Sequence, residues 1–421
     1  MPRPFAWILA ATAALVVALG GVTVAVWIVK PDATEGALDT ELEGVTVSEP
    51  TMTIEPEPEP APERESDRRC WTEFGGDARR SLARPGARLG LPKRNPVWTR
   101  VLDSYIEFAP VYCDGVLYVN SFRGRTYAID AETGRVVWTK RVGGTLPSSP
   151  AIDGPRILVA SQAGTVTALD RRNGRPVWQV RTAGKVESSP VVVDGLAYFG
   201  SHDGRVFAVR SATGRVEWAY RTGGRINASP TVFGNRVCVT NYAGAFVCLN
   251  RRTGAEIWTT YVRRDPLRYE SFYASASTDG TRLYSVARSG KVVAVDASNG
   301  EIAWTGRVGA LGYTTPAVGR DGVFVGGFDG RLRALRRGTG DELWSTYVGG
   351  RIFGAPMLVG ETVFFSVHGG RTYGVRVSDG KIVWRVPMGR YTPGIATERT
   401  YFFSLNARLL AYHGRTAPKP R

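Results

Sequence analysis

Histidine and cysteine are scarce in this chain, with three and four copies among 421 residues. His202, His368 and His413 lie far apart, the first two in turn sequences, so no metal-ligand cluster is expected. No two cysteines adjoin and no Cys-x-x-Cys-His is present, which excludes covalent haem attachment. A phosphate-cradling glycine loop and a nucleophile elbow are also missing. From residue 70 onward no stretch sustains a 3.6-residue apolar period, so the fold is not built on helices. Long runs of lysine or arginine are absent too, although the net charge is +16. A specific nucleic-acid partner is therefore not expected.

That charge is unevenly divided. Residues 1–69 hold five basic against twelve acidic residues, and the remainder 49 basic against 26 acidic, a net of +23. A field of that size attracts polyanions or an anionic membrane surface, and it equally serves plain solubility. Phe5 to Val29 is 25 residues without a charge, enough to span a hydrocarbon layer of about 30 Å. A cleaved signal peptide, the alternative, has an apolar region of only about 7–15 residues. An uncleaved transmembrane anchor over 1–30 is therefore expected. Residues 31–69 are acidic, proline-rich and poor in aromatics, with Glu55-Pro56-Glu57-Pro58-Glu59-Pro60 at their centre. They read as a disordered, extended linker.

What the chain has in abundance is repetition. Trp98, Trp138, Trp178, Trp218 and Trp258 follow one another at 40 residues; after one step of 46, Trp304, Trp344 and Trp384 resume the period. A fixed period of about 40 residues is the signature of a repeat architecture. Within one unit, Ser189–Tyr220, four short β-branched and aromatic runs are separated by the turn signals Asp194-Gly195, Asp203-Gly204 and Thr213-Gly214. Four strands per 40 residues is one blade of a β-propeller. Seven full units end at Trp138 through Trp384. Three strands follow the last of them, and one orphan strand, Pro96–Arg100, precedes the first. Pairing the orphan with those three closes an eight-bladed ring and removes its open edge. The expected fold is all-β: a lead-in segment at 70–94, an eight-bladed propeller over 95–415, and a disordered basic tail at 416–421.

The hairpin tip Tyr242-Ala243-Gly244 places Cys238 opposite Cys248. A cross-strand disulfide and two small buried hydrophobes both suit that register. Cys70 and Cys113 are the other candidate pair, joining the lead-in segment to the first full repeat. Either bridge requires an oxidising compartment.

The phrase Ala128-x-Asp130-x-x-x-Gly134-x-x-x-Trp138, which recurs seven times with Gly and Trp always in place and drifts elsewhere, as at Arg210 and Arg336 in the Asp position, resembles the tryptophan-docking repeat of pyrroloquinoline-quinone (PQQ) propellers. The resemblance covers residues 95–415 and implies that each of the eight tryptophans docks against the neighbouring blade. Two branches of that family bear on function. Quinoprotein dehydrogenases hold calcium with Glu, Asn and Asp, use an Asp base, often cap the cofactor with adjacent cysteines, and carry long insertions. This chain has no adjacent cysteines, and six of its seven tryptophan intervals are 40 residues, so neither PQQ nor a metal is expected. The other branch is the non-enzymatic BamB type, an eight-bladed scaffold of outer-membrane protein assembly. The chain departs from it in lacking a lipobox before Cys70, which follows Asp67-Arg68-Arg69, and in placing an apolar helix where a lipid anchor stands.

In a propeller, the loop before each innermost strand ends at one mouth of the channel. Three residues before the inner-strand proline stand Glu107, Pro147, Glu187, Asn227, Tyr313, Phe353 and Arg390, and Tyr273 holds that place by spacing in the fifth blade, with Tyr105, Arg225, Arg351 and Tyr391 nearby. The six extra residues of the 46-residue step fall in the fifth such loop, which contains Arg268 and Tyr269. Aromatic and arginine side chains are the usual anchors of binding surfaces, although the same rings also pack an inner wall. The reading is a membrane-anchored, extracytoplasmic, non-catalytic protein-binding or scaffold module of the cell envelope, with an envelope or membrane protein as partner. A binder of anionic wall polymers and a relic of a PQQ-dependent dehydrogenase are the alternatives.

Overall fold

The computed structural model describes residues 70–416, apart from 85, 86, 88, 310 and 321. The anchor expected at 1–30, the linker at 31–69 and residues 417–421 of the tail lie outside the described residues. No helix among the described residues is long and apolar enough to cross a membrane.

Alternating apolar runs and Asp-Gly or Thr-Gly turns fold each repeat into a four-stranded antiparallel meander. Blade 1 consists of Val111–Cys113, Val116–Ser121, Arg125–Asp130 and Val136–Arg141, from the channel outward. Six more blades repeat it, at 151–181, 191–221, 231–261, 277–307, 317–347 and 357–386. Blade 8 joins the two ends of the described chain. Its inner three strands are Gly394–Ala396, Thr400–Leu405 and Arg408–Thr416, and its outer strand is Trp98–Val101, paired Trp98 to Ala411 and Val101 to Arg408. Thr416, assigned to the tail from sequence, belongs to this last strand because Leu89 pairs with it.

The middle strands of each blade are buried on both faces, as in Arg156–Ser161, because blade stacks on blade. The outer strands alternate toward solvent, as in Val136–Arg141. Seven indoles reach the next blade and donate to a turn carbonyl there: Trp98 to Ala131 at 3.0 Å, Trp138 to Arg171 at 2.9 Å, and so on to Trp344 at Val377, 2.7 Å. The turn glycine lies flat under the ring; a Cβ on Gly134, at φ 69°, would stand 2.6 Å from Trp98. Trp384 faces blade 8, whose third and outer strands come from opposite ends of the chain and share no turn. Its ring stacks on Phe403 instead, at 4.9 Å between centroids.

Hydroxyls bind the inner strands to one another. The backbone N–H groups of Ser149, Ser189, Ser229 and Ser275 each donate to the Ser or Thr hydroxyl at the same place in the next blade, at 2.8–3.2 Å. Both disulfides are formed. Cys238 and Cys248 are directly opposed in register, and Cys70 is bridged to Cys113 of blade 1.

Candidate functional site: one mouth of a stoppered channel

The innermost strands present unpaired N–H groups to the channel, and the lead-in segment fills it by taking them up. Trp71 pairs with Tyr112 of blade 1. The carbonyls of Thr72, Ala78, Arg79, Ser81 and Leu82 then accept from Ile152, Val232, Thr278, Val318 and Leu358, at 2.7–3.0 Å. Blade 3 is served by a side chain, with Val192 N–H donating to the Glu73 carboxylate at 3.3 Å. The segment thus touches seven blades in turn and then pairs Leu89–Pro92 with blade 8. Nothing in residues 70–94 repeats, so this stopper was not legible in the periodicity.

Arg80 lies at its centre, with no solvent exposure. The guanidinium donates to the carbonyls of Phe74, Ser189 and Pro230 at 2.5–2.9 Å, and burial pulls it down to about 10 against the opposing pull of Glu73 and Asp77. Burial also pushes Glu73 up to about 7, with the Arg80 charge opposing it.

The opposite end of the channel is open and holds a cavity of about 380 Å³ floored by Phe74 and Phe108. Glu107, Glu187, Asn227, Tyr273, Tyr313, Phe353 and Tyr391 converge on its wall. The remaining predicted residues stand elsewhere. Tyr105 stacks on Phe122 at 4.4 Å, and Arg390 lies over Tyr105 and Tyr391 at 4.6 and 5.2 Å. Arg225 covers Tyr242 at 4.1 Å and Arg351 covers Phe328 at 5.8 Å. In blade 8 the loop is out of step by one residue, so Tyr391 rather than Arg390 faces the cavity. Arg268 and Tyr269 belong to a small hairpin, Arg263–Asp265 with Arg268–Tyr269, and line a separate cleft of about 550 Å³. The six inserted residues build that cleft instead of the central cavity, and they leave Leu267 at the hairpin tip 92% exposed.

A second ring of mouth residues was missed. Phe122, Gln162, His202, Tyr242, Arg288, Phe328 and His368 each stand two positions before a hairpin glycine. Each donates its N–H to the residue two positions before the predicted ring, as in His202 to Lys185 and Tyr242 to Arg225. The same 40-residue period carries them, so the glycine offset would have found them.

The two rings divide the mouth into unlike halves. Aromatic rings run without a break from Tyr242 through Tyr273, Tyr313, Phe328, Phe353, His368, Tyr391 and Tyr105 to Phe122, with centroid spacings of 4.3–6.4 Å. Opposite this arc stands a polar group. Gln162 donates to Glu187 at 2.7 Å, Asn227 donates to the other Glu187 oxygen, and His202 lies 3.7 Å away. Burial pushes Glu187 up, but His202, Gln162 and Lys185 outweigh it and hold the carboxyl below the ordinary glutamate value. Glu107 lacks such donors; burial and the Glu187 charge push it up to about 7, with Arg390 opposing.

A closed ring of tryptophan-docked blades, blocked at one end and lined with aromatic and acidic side chains at the other, defines an eight-bladed propeller of the PQQ-like class. The chain belongs to the family described as outer membrane protein assembly factor BamB, whose sequence profile matches residues 63–267 and 249–416. A protein of that name from Marinobacter adhaerens is 33% identical over 105 residues, which is 25% of either chain. The match therefore spans about a quarter of that relative's length. Among solved structures, BamB from Moraxella catarrhalis superposes with a TM-score of 0.64 at 20% identity, over 77% of this chain and 99% of that one. The quinohemoprotein alcohol dehydrogenase of Comamonas testosteroni gives 0.66 at 15% identity, over 84% and 81%. At such identities the two structures share the fold with this chain, and nothing finer is carried over.

Proposed function

We propose that this protein is a non-catalytic, protein-binding scaffold of the cell envelope, tethered to a membrane through residues 1–30, and that it docks its partner at the open mouth. The observation that carries this reading is the unbroken aromatic arc at the open end of a channel whose other end is stoppered. Wide aromatic faces with arginines stacked on them are the groups that bind other proteins. Membership of the BamB family points to a protein partner in the envelope. The two disulfides suit a compartment outside the cytoplasm.

A quinone enzyme is a poor fit to the residues at hand. No aspartate is among the residues lining the cavity, and Glu187 and Asn227 are hydrogen-bonded to each other. All four cysteines are held in disulfides, and neither bridge lines the cavity. The convergence of Cys70, Cys113 and Asp114 offers a metal no thiolate, because both sulfurs are bridged.

In-cell photo-crosslinking from position 313 tests the scaffold reading, with exposed outer-strand residue Val137 as control. A discrete protein adduct at 313 and not at 137 is expected; no adduct at either position removes the mouth as a docking site. The binder of anionic wall polymers is favoured by one feature, the excess of 49 basic over 26 acidic residues after residue 69. It would give a polymeric smear in place of a discrete adduct, and binding that collapses with added salt.

A further inference from the structure

The cavity has a chemistry of its own, unlike the basic domain around it. No lysine, arginine or histidine is among its lining residues. Hydroxyls, which can donate or accept, make up most of its polar lining, and the two charged side chains in that lining, Glu107 and Glu187, are both acidic. The Asn227 side chain is 8% exposed, and its Oδ1 has no hydrogen-bond partner while its amide nitrogen is committed to Glu187. A buried acceptor left in that state calls for a donor from outside. Glu107 and Glu187 add carboxylate oxygens beside it.

The walls favour a particular cation. Around the rim the protein already lays its own guanidinium groups over aromatic rings: Arg225 on Tyr242, Arg351 on Phe328, and Arg390 on Tyr105 and Tyr391. Deeper in, Tyr273 and Phe353 line the cavity with no cation stacked on either ring among the described residues. A guanidinium is planar, stacks on such faces, and carries five donors that match acceptors converging from several sides. A volume of about 380 Å³ has room for a long side chain and is too small for a folded element.

We propose that the mouth cavity receives the guanidinium of an arginine presented by the partner polypeptide, with acidic residues beside that arginine. The guanidinium lies between the carboxylates of Glu107 and Glu187 and the Asn227 oxygen, against Tyr273 and Phe353. Its acidic neighbours meet Arg225, Arg351 and Arg390 at the rim. The rim arginines and the buried acceptors then act together instead of cancelling. The proposal rests on the scaffold reading and specifies what the partner must present.

The test uses the full chain in detergent micelles and three capped pentapeptides, followed by isothermal titration. Ac-Ala-Glu-Arg-Glu-Ala-amide is the probe, a citrulline peptide of the same shape replaces the charge, and Ac-Ala-Ala-Arg-Ala-Ala-amide removes the acidic flanks. The arginine peptide should bind about tenfold or more tighter than the citrulline peptide. Glu107→Gln should abolish most of that preference. Arg225→Ala should weaken only the peptide with glutamates. Equal binding of the arginine and citrulline peptides, or a preference untouched by Glu107→Gln, overturns the proposal. If crosslinking at 313 still captures a discrete protein while the arginine preference is absent, the scaffold reading survives and the arginine receptor does not.

Discussion

The two ends of the channel are built from the same strands and solve opposite problems. At the closed end, seven inner-strand N–H groups meet six backbone carbonyls and the Glu73 carboxylate, and a buried arginine meets carbonyls. At the open end, Asn227 keeps a buried oxygen without a donor, and Glu107 has no donor of the kind that holds Glu187. Among the described residues the stopper also holds one buried group without a partner, the Trp71 indole N–H, but it does not line the cavity; an unsatisfied acceptor that does, as Asn227 does, marks a surface able to take up another molecule. The repeats agree. Positions that hold the ring recur from blade to blade: the tryptophan, the turn glycine, and, in six of the eight blades, a Ser or Thr at the start of the inner strand, with Ala109 and Ala355 in the other two. Mouth positions do not: three residues before that proline, blades 1, 2, 3, 4, 6 and 7 carry Glu107, Pro147, Glu187, Asn227, Tyr313 and Phe353. A residue type that changes from one geometrically equivalent place to the next is not required by the fold.

Four experiments would break or sharpen this contrast. The largest effect is expected from Arg80→Met, which leaves Glu73, Asp77 and several carbonyls buried without their cation. A loss of roughly 3–5 kcal/mol should be read in chemical denaturation, and a loss below about 1 kcal/mol would mean that the stopper is not a stabilising element. Next comes Cys70→Ser with Cys113→Ser, which opens a 43-residue separation, against Cys238→Ser with Cys248→Ser, which opens one of 10. Chain entropy predicts losses of about 4 and about 3 kcal/mol, and the reverse order would show that the stopper stays seated without its bridge.

A third experiment compares Glu73 and Glu107, one at each end and both pushed up to about 7. A carboxyl whose folded value is raised binds its proton more tightly when folded, so its stability contribution is full below the ordinary glutamate value. That contribution is lost as pH rises through about 7. Glu73 faces Arg80 and Asp77; Glu107 faces Glu187, Arg390, Tyr105 and Tyr273. Glu107→Gln should flatten part of the fall in denaturation midpoint between about pH 5 and 8, by on the order of 1 kcal/mol or more. Unchanged curvature would remove Glu107 as one of its sources. The smallest effect on stability, roughly 1 kcal/mol or less, is expected for Tyr313→Ala, whose ring lies at the mouth. A partner captured by crosslinking from the neighbouring position 353 should nevertheless be lost in this variant. Retention of that adduct would detach the arc from docking.

The period of 40 made the ring, its blade count and its closure legible, because each rests on a contact made once per repeat. Cys238 opposite Cys248 was legible for a local reason, the length of one hairpin loop. The stopper was not. Arg80 and Leu82, with φ of 56° and 54°, take left-handed backbone that their residue types do not advertise, and the blade groups they meet, at Ser189, Pro230 and Leu358, are 100 or more residues away. At the mouth, counting back from the inner proline located Glu107, Glu187, Asn227, Tyr313 and Phe353, but slipped by one at Arg390, where the loop before Pro393 is out of step. The insertion at 263–273 announced its place by its length. It folds into a hairpin whose tip is closed by Leu267 N–H donating to the Asp265 carboxylate at 3.0 Å, and Arg268 and Tyr269 line the separate cleft beside it, a tertiary placement that length alone does not specify.

The bridge between Cys70 and Cys113 also fixes the path of mechanical load. Tension on the chain ahead of Cys70 passes through the sulfur–sulfur bond straight into blade 1. Residues 71–112, which include the whole stopper and the strand Trp98–Val101 that closes the ring, lie inside the covalent loop and carry none of it. A pull from the N-terminal side would therefore have to unravel blade 1 before it could unzip the seam.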